Sequence, residues 1–498
     1  MTFRDSNVVI IDTGRTSIKA GLGLHELLKT PTVEIEARVG LRRSASGALP
    51  EGTIDHATHS SASSSTFSSL AQYTIPSASV NDYLVGTQLD EALAAGQDIL
   101  VSWPFASGNV VDWTQAEALW KHVLFTRLQR RRVQNESPVL LSIAAGLPRT
   151  SYERICQIFF ERFNVAGFSL LERPMAQIYA ANSLSGVVVD VDYDTTDVTP
   201  IYDGFIVRSA HTCSQIGLRD CQNYLAYLLR GNQSVVSAFS PTDAPLSSEA
   251  LHAILVDFVQ HVVQKGHIKV QSTGEAVVED DTGVTDIAAI LVAGKEKAIL
   301  EGQKKKATAK ANAAEQARAK EIEALDLLTV EFRGHSLTLG KERHRFYEPL
   351  FDPALLDKIP GNENRSKSDG CQPLQSTVAH AVRLLDLDQR PYVWSGLFVT
   401  GDITRHVRGL GITLQNRLGH YILSNSDIQS DVQTRSIRIL NLPEYFPEYR
   451  DTGEQYAAFL GASITSKVSC NSNQNYVSKS EYSSTGPRSI IQNAPSLL

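Results

Sequence analysis

Four aspartates follow a single buried-strand run in residues 186–200, GVVVDVDYDTTDVTP. The three valines predict a buried strand, and the apolar pattern that resumes at Val198 predicts a second, so the acidic residues belong to a turn between strands. Glycine, which lets backbone N–H groups approach phosphate oxygens closely, is absent from this turn. The carboxylates are suited to hold a cation, to act as a base or to oppose an anion. They belong to Asp190, Asp192, Asp194 and Asp197.

A second acidic turn lies roughly 180 residues earlier in the chain. The run Val8–Ile11 predicts a buried strand that ends at Asp12, and Ser17–Gly21 predicts its partner. The turn between them, DTGRT, retains one glycine, Gly14, which Arg15 follows.

Composition restricts the class of protein. The chain has 498 residues, too many for one ordinary core, with 42% hydrophobic and 20% charged residues, as in soluble globular proteins. The net charge of −7 disfavours nucleic-acid binding through the whole surface. Five scattered cysteines without a C-x-x-C pair indicate neither a disulfide framework nor a zinc site. The first residues, MTFRDSNVVIID, are not typical of a signal peptide, and no segment is long enough to span a membrane.

Helices and strands alternate after the first hairpin. Thr114–Glu117 and Thr150–Glu153 match the capping-box pattern, and each precedes apolar residues at helical spacing. The run that begins at Pro138 predicts a strand between these helices. Paired strands followed by alternating helix and strand indicate an α/β protein.

Three further segments have a biased composition. Residues 44–80 are Ser-rich and predict a long, mobile surface insertion. Residues 286–328 are rich in Lys, Ala and Glu; we interpret them as a solvated helix or connector, with a basic contact through 295–320 as the alternative. Arg130–Arg132 fit a solvated helix end or, alternatively, a patch for phosphate or an acidic partner.

Several motifs together resemble actin. VVIIDTGRTSIKAG resembles the first phosphate-binding hairpin of that protein, residues 186–204 resemble the second, and FVTG at 398–401 resembles the turn under the adenine. On these motifs the chain is identified as a member of the actin/hexokinase/Hsp70 superfamily. The resemblance implies an α/β actin fold with two pseudo-symmetric lobes, each of two subdomains, around a central cleft.

The resemblance also implies subdomain boundaries. Subdomain 1 comprises residues 1–33, 87–180 and 456–498, and subdomain 2 comprises residues 34–86 with the Ser-rich insertion. Subdomain 3 comprises residues 181–215 and 370–455, and subdomain 4 comprises residues 216–369 with the charged insertion.

Two stretches are similar to one nuclear class within the family. LNLPEYFPEYRDTGEQYAAFLGASITSKV and TDIAAILVAGKEKAILE are similar to the fungal actin-related protein nine class. Members of that class are subunits of SWI/SNF and RSC type chromatin remodellers, which implies nuclear localisation and a role in transcription regulation.

The chain departs from actin at the residues that contact nucleotide. Asp12, Gly14 and Lys19 remain, whereas Arg15 and Thr16 stand where actin has serine and glycine. Asp192 and Asp194 replace two glycines of the second hairpin, and Asp402 replaces the glycine after Gly401. Arg173 and Asp197 stand at the positions of the glutamine and histidine that serve hydrolysis, and an arginine cannot accept a proton.

These departures predict a vestigial nucleotide cleft. A carboxylate about 4 Å from a phosphate charge costs roughly 1 kcal/mol in water and about 4 kcal/mol at an effective dielectric near 20. Arg15 can bind a phosphate or, as we favour, pair with Asp192 or Asp194. We expect Arg173 and Asp197 to be polar surface residues, with no catalytic residue and no cofactor. Binding of ATP and Mg²⁺, with Asp12 and Asp190 as outer partners of the ion, is the weaker expectation.

The resemblance implies a partner groove between the first and third subdomains. Its residues here are Tyr179, Ile464, Thr465 and Val468, and a groove of this kind accommodates an amphipathic helix. The implied partners are a helix of the remodeller ATPase and a second actin-related protein, with indirect contact to chromatin, no membrane and no filament formation. The alternatives are a nucleotide-binding actin-like protein with slow ATPase activity and a DNA- or histone-binding module that uses 295–320.

Overall fold

The computed structural model describes residues 8–22, 28–43, 52–56, 70–133, 137–240, 246–270, 326–368, 370–422, 436–472 and 476–494. The chain forms two compact units. The first comprises residues 1–215, 375–405 and 414–498, and the second comprises residues 216–374 and 406–413. The predicted division into four subdomains stays a prediction, and segment 295–320 lies outside the described residues.

The first unit contains two larger sheets. One has the strand order Val477–Ser478, Gly167–Glu172, Pro138–Ile143, Val9–Thr13, Ser17–Leu22 and Val33–Glu36. The other has the order Phe205–Ile206, Thr196–Tyr202, Gly186–Val191 and Leu397–Thr400, with Thr212–Ser214 paired to Thr196–Tyr202. Smaller sheets join Leu84–Val85, Val39–Arg42 and Ile99–Ser102, and Ile54–Asp55 with Tyr73–Thr74.

The two larger sheets repeat one arrangement. In each, a strand pairs antiparallel with the next strand of its hairpin and parallel with a third strand from later in the chain. Asp12 lies opposite Lys19 and Ser142, and Asp190 lies opposite Asp197 and Thr400. The two aspartates therefore occupy equivalent positions in the two hairpins.

Helices cover these sheets. The α-helices of the first unit are Thr87–Ala94, Trp113–Lys121, Arg149–Gln157, Arg173–Ala180, Arg390–Trp394, Ala457–Ser472, Lys479–Thr485 and Ser489–Asn493. Trp113–Lys121 continues in wider π turns to Arg127, and Arg149–Gln157 continues to Arg162. Leu374–Arg383 and Leu410–Ile422 each cross a boundary between the units.

One helix crossing is especially close. Gly461 of the helix Ala457–Ser472 lies against the backbone of Arg173–Ala180, where a Cβ would overlap the carbonyl oxygen of Ala176. Apolar side chains of both helices, among them Met175 and Phe459, belong to one buried core. This contact fixes the position of the helix that begins with Arg173.

Three sequence predictions about local structure are wrong. The cap of the helix Trp113–Lys121 is Asp112, whose carboxylate accepts the N–H groups of Thr114 and Gln115, so Thr114 does not begin a capping box. Thr150 does not cap its helix either, because that helix begins at Arg149 after Pro148. The Ser-rich insertion predicted for residues 44–80 ends earlier than predicted, since Gln72 and Ile75 are buried; residues 44–51 and 57–69 lie outside the described residues.

The second unit contains the hairpin Leu328–Phe332 and His335–Leu339 and the helices Leu218–Leu229, Gln233–Phe239, Ser248–Gln264 and Glu348–Phe351. Buried Arg343 donates to the carbonyl oxygens of His267 (3.1 Å), Asp326 (2.6 Å) and Gly340 (2.6 Å), and to the Asp326 carboxylate. His344 Nδ1 accepts the N–H of Lys269, so its Nε2–H donates to Asp326. The two side chains join the residues on either side of the undescribed stretch 271–325.

We expect Arg343→Ala to lower the free energy of unfolding by about 2–4 kcal/mol, because it leaves three backbone carbonyl groups without their donor. Arg333→Ala is the matched control. Arg333 pairs with Asp257, and both side chains are about half exposed, so the loss there should be below about 1 kcal/mol. Urea unfolding followed by circular dichroism measures both variants, and equal losses would contradict the assignment.

Candidate functional site: a buried arginine between two acidic turns

Arg173 lies between the turns of the two hairpins. Its side chain is only 7% exposed, and Nη1 is 2.9 Å from a carboxylate oxygen of Asp190 in the second hairpin. Nε is 3.5 Å from Asp12 of the first hairpin, and Nη1 is 3.6 Å from Asp192. The expectation of a surface residue is therefore wrong for Arg173, because the first turn of a well-packed helix holds its guanidinium inside the protein.

The guanidinium of Arg173 also fills space at the first turn. The amide of Gly14 donates to the carbonyl of Ser17, which closes that turn. A Cβ at Gly14 would lie 3.6 Å from the guanidinium carbon of Arg173. The side chain thus lies directly against the turn glycine that the resemblance assigns to phosphate binding.

A second arginine connects the hairpins. Arg15 Nη2 is 2.5 Å from a carboxylate oxygen of Asp197, and its Nε is 3.5 Å from Asp192. Its Nη1 donates to the carbonyl of Ala106 at 3.1 Å. Arg15 therefore pairs with the facing hairpin, but its shortest contact is to Asp197, and the side chain of Asp194 instead accepts the N–H of Leu70.

The turn after the strand Leu397–Thr400, which contains Gly401 and Asp402, also contacts the first hairpin. The hydroxyl of Thr16 donates to the carboxylate of Asp402 at 2.6 Å. Gly401 has a φ of 102°, and a Cβ there would overlap the carbonyl oxygen of Val191, so only glycine fits. The three turns of the predicted cleft are thus joined by side chains of the chain itself.

Lys19 does not join this cluster. Its ammonium group donates to the carbonyl of Gln455 at 3.2 Å and lies 5.6 Å from the centre of the Tyr456 ring. Lys19 is buried, and its ammonium group holds the segment directly before the helix Ala457–Ser472.

Burial and neighbouring carboxylates raise the pKa values of the carboxyl groups, whereas the arginines lower them. Burial raises the pKa of Asp192 well above its ordinary value, and the nearby charge of Asp190 raises it further. Burial also raises the pKa of Asp190, against the opposing charge of Arg173 and a hydrogen bond from Gln177. Burial acts to raise the pKa of Asp197 as well, but the charges and hydrogen bonds of Arg15 and His211 together outweigh it and hold that pKa well below its ordinary value.

For Arg173, burial and the neighbouring carboxylates have opposite effects on the pKa. Burial alone would lower the pKa of Arg173, but the charges of Asp190, Asp12 and Asp192 outweigh it and raise the pKa well above its ordinary value. Arg173 therefore stays charged, and its charge counterbalances the facing carboxylates.

A cavity of about 460 Å³ adjoins the cluster within the first unit. Arg15, Asp192, Asp194 and Asp197 line it together with His211, Cys213 and the Ala144–Gly146 turn. Two guanidinium groups lie among at least four carboxyl groups here, so a polyphosphate would meet excess negative charge. Among the described residues, no group of three His, Cys, Asp or Glu side chains is arranged to hold a metal ion. The side chains present do not fit ATP with Mg²⁺.

The sequence analysis did not predict a neighbouring hydrogen-bond network around Glu172. The buried carboxylate of Glu172 accepts hydrogen bonds from the Tyr152 hydroxyl (2.7 Å), the Gly146 amide (2.9 Å) and both terminal nitrogens of Arg208 (2.9 and 3.0 Å). The available signal was an acid at the end of a buried strand, directly before Arg173. The network anchors that helix start from the opposite side.

The predicted groove residues lie on two packed helices. Tyr179 and Ile464 are partly buried against the same core, on the helices Arg173–Ala180 and Ala457–Ser472. The hydroxyl of Thr465 donates to the carbonyl of Gly461 within its own helix. Val468, one turn beyond Ile464, is 65% exposed.

Comparison with known proteins agrees with this architecture. The model of the actin family matches residues 3–494. The chain belongs to the actin family. The actin fold predicted from the sequence is therefore confirmed.

The chain is also similar to a curated fission-yeast protein. That protein is the "SWI/SNF and RSC complexes subunit arp9" of Schizosaccharomyces pombe (strain 972 / ATCC 24843), and the identity is 26% over 539 aligned positions. The alignment covers 98% of this chain and 99% of the relative, so the resemblance includes both units of this actin-family chain. In the described part of the chain, no helix has the length and apolar character required to cross a bilayer.

We expect Asp192→Asn and Asp197→Asn to change stability in opposite directions near neutral pH. Asp192 has a raised folded-state pKa, so its ionisation opposes folding as pH rises from about 4. Asp192→Asn should therefore raise the free energy of unfolding by about 1 kcal/mol. Asp197 has a lowered folded-state pKa, so its charge stabilises the fold above about pH 4, and Asp197→Asn should lower the free energy of unfolding by about 1–3 kcal/mol.

Thermal denaturation between acid and neutral pH tests this pair of variants. Both differences should shrink as pH falls below about 4, where the carboxyl groups are protonated in the unfolded chain. A loss of stability of similar size in both variants at neutral pH would contradict the opposite effects on the two carboxyl groups.

Proposed function

We propose that this protein is a non-catalytic actin-family scaffold subunit of an ATP-dependent chromatin-remodelling complex of the SWI/SNF or RSC type. It acts in the nucleus, in nucleosome remodelling and transcription regulation. The observation that carries the proposal is the buried Arg173, which pairs with carboxylates of both phosphate turns. The full-length similarity to the fission-yeast subunit supports the choice of complex.

The cluster supports a scaffold rather than an ATPase. Catalysis of phosphoryl transfer requires bound nucleotide and a group that orients the attacking water. Arg173 stands where the resemblance places that group, and it forms ion pairs with carboxylates. The side chains that join the three turns take over the stabilising contacts that a nucleotide would otherwise make.

The groove supports a helical partner. Beyond Tyr179 lies an exposed apolar group: Leu184 (57% exposed), Phe205 (60%) and Tyr392 (58%). The amide of Gly204 donates to the carbonyl of Leu184, which brings Phe205 and Leu184 together, and the ring of Tyr392 packs on Tyr202 at 5.7 Å. We propose that a helix of the remodeller ATPase packs on this surface and on Val468, together with a second actin-related protein.

We expect the full-length protein to bind MgATP more weakly than the micromolar range and to show no turnover. Isothermal titration and a phosphate-release assay measure the two properties. The triple variant Arg173→Gln, Asp192→Gly and Asp194→Gly removes the guanidinium and two carboxylates, so it should bind MgATP measurably more tightly if its circular dichroism shows a folded protein.

Two outcomes would overturn the non-catalytic assignment. One is micromolar binding by the unaltered protein. The other is measurable ATP turnover that is lost in Asp190→Asn, because that loss would show a working carboxylate in the cleft.

Val468→Asp should weaken capture by the ATPase helix about tenfold or more, since it introduces an unpaired charge into an apolar contact. Ile54→Asp is the control, because Ile54 is also exposed and lies on a separate small sheet. Capture is measured by pull-down on an immobilised helix peptide of the remodeller ATPase. Equal capture by the two variants would count against the groove but would leave the nucleotide result standing.

A further inference from the structure

Four exposed arginines cluster where two helices end. Arg127 is the last residue of the helical segment that begins at Trp113, and Arg162 is the last of the segment that begins at Arg149. Arg131 and Arg132 follow the first of these segments in an exposed loop. We call Arg127, Arg131, Arg132 and Arg162 the arginine patch.

The topology of the first sheet brings these residues together. The two helices lead into the parallel neighbouring strands that begin at Pro138 and Gly167, and these two residues lie opposite each other. The amide of Ala166 donates to the carbonyl of Ser137 at 3.2 Å, and the side chain of Asn164 donates to the carbonyl of Arg132 at 2.9 Å. The two loops therefore lie side by side at one edge of the sheet.

The positive charge of the patch is not neutralised within the described chain. None of its four arginines forms an ion pair with another described residue. The carboxylate of neighbouring Glu161 instead accepts hydrogen bonds from Tyr482 and Gln157. Glu136 lies outside the described residues. In a chain with a net charge of −7, this is a local excess of the opposite sign.

The helix dipole explains the positions of only two of the four arginines in the patch. A cation is favourable in the last turn of a helix, which suits Arg127 and Arg162. Arg131 and Arg132 lie beyond the helix end, where the effect has decayed. Their exposed guanidinium groups are suited to pair with carboxylate or phosphate oxygens.

We propose that the arginine patch docks an acidic polypeptide segment that also carries aliphatic side chains. Val133 directly follows Arg132 and is 89% exposed, so it offers an apolar contact among the guanidinium groups. A polypeptide supplies carboxylates and aliphatic side chains together, whereas a phosphodiester backbone supplies anionic oxygens without aliphatic side chains. Charge and surface chemistry thus favour an acidic protein segment over DNA.

Fluorescence anisotropy on the full-length protein tests this docking surface. The probe is a labelled synthetic peptide of alternating glutamate and leucine, compared with a peptide of alternating glutamine and leucine and with a DNA duplex of arbitrary sequence. The glutamate peptide should bind, and its affinity should fall as salt concentration rises. Arg131→Gln with Arg132→Gln should weaken it about tenfold or more.

A matched control separates the patch from overall charge. Arg42→Gln with Lys265→Gln removes the same number of charges from exposed positions elsewhere and should leave binding within about twofold. Val133→Ser should weaken the glutamate–leucine peptide but not a glutamate–serine peptide. Equal binding of the glutamate and glutamine peptides, equal effects of the two double variants, or tighter patch-dependent binding of the DNA duplex would each overturn the proposal.

Discussion

The ion pairs of Arg173 with Asp12 and Asp190 are the interaction on which the centre of the first unit depends. One guanidinium contacts the end of a strand in each of the two larger sheets. Because these aspartates hold equivalent positions in the repeated hairpins, a single cation lies between the two carboxylates, closer to Asp190 (2.9 Å) than to Asp12 (3.5 Å). The helix that carries Arg173 is itself fixed by the close crossing at Gly461 and by the Glu172 network, so the guanidinium has little freedom to leave.

This arrangement has an electrostatic cost as well as a benefit. Buried carboxylates are unfavourable unless they are paired, and this cluster contains more carboxyl groups than arginines. Burial and the charge of Asp190 raise the pKa of Asp192, whereas Arg15 and His211 hold the pKa of Asp197 below its ordinary value. Asp197 has a close cation in Arg15, whereas Asp192 shares both arginines with nearer partners. A site with this balance repels further negative charge.

The family architecture is thus retained while the phosphate turns have acquired a different chemistry. The hairpins, the parallel third strands and the glycine at 401 keep the backbone arrangement of an actin-type cleft. The side chains at the turns now bind one another. The apolar group near Tyr179 and the arginine patch differ in chemistry, so the two proposed contacts require two different partner segments.

The sequence by itself determined the hairpins, the acidic turns and the family. Alternating apolar runs and the aspartates that end them are local patterns, so a strand–turn–strand unit can be read from a dozen residues. The same locality explains the failures. Thr114 and Thr150 match a capping pattern, but Asp112 lies two residues before Thr114 and its carboxylate accepts the N–H groups at that helix start. The other helix already begins at Arg149, before Thr150.

Only the tertiary structure decided which charges meet. Arg173 is more than 160 residues from Asp12 and follows a strand, which gives no local sign that its side chain is buried. The pairing of Arg15 with Asp197, of Thr16 with Asp402 and of Glu172 with Arg208 likewise depends on how distant strands are placed side by side. Sequence patterns fix the residues that a turn contains, but the energy of a buried ion pair depends on distance and burial, and both arise only when the sheets and helices pack.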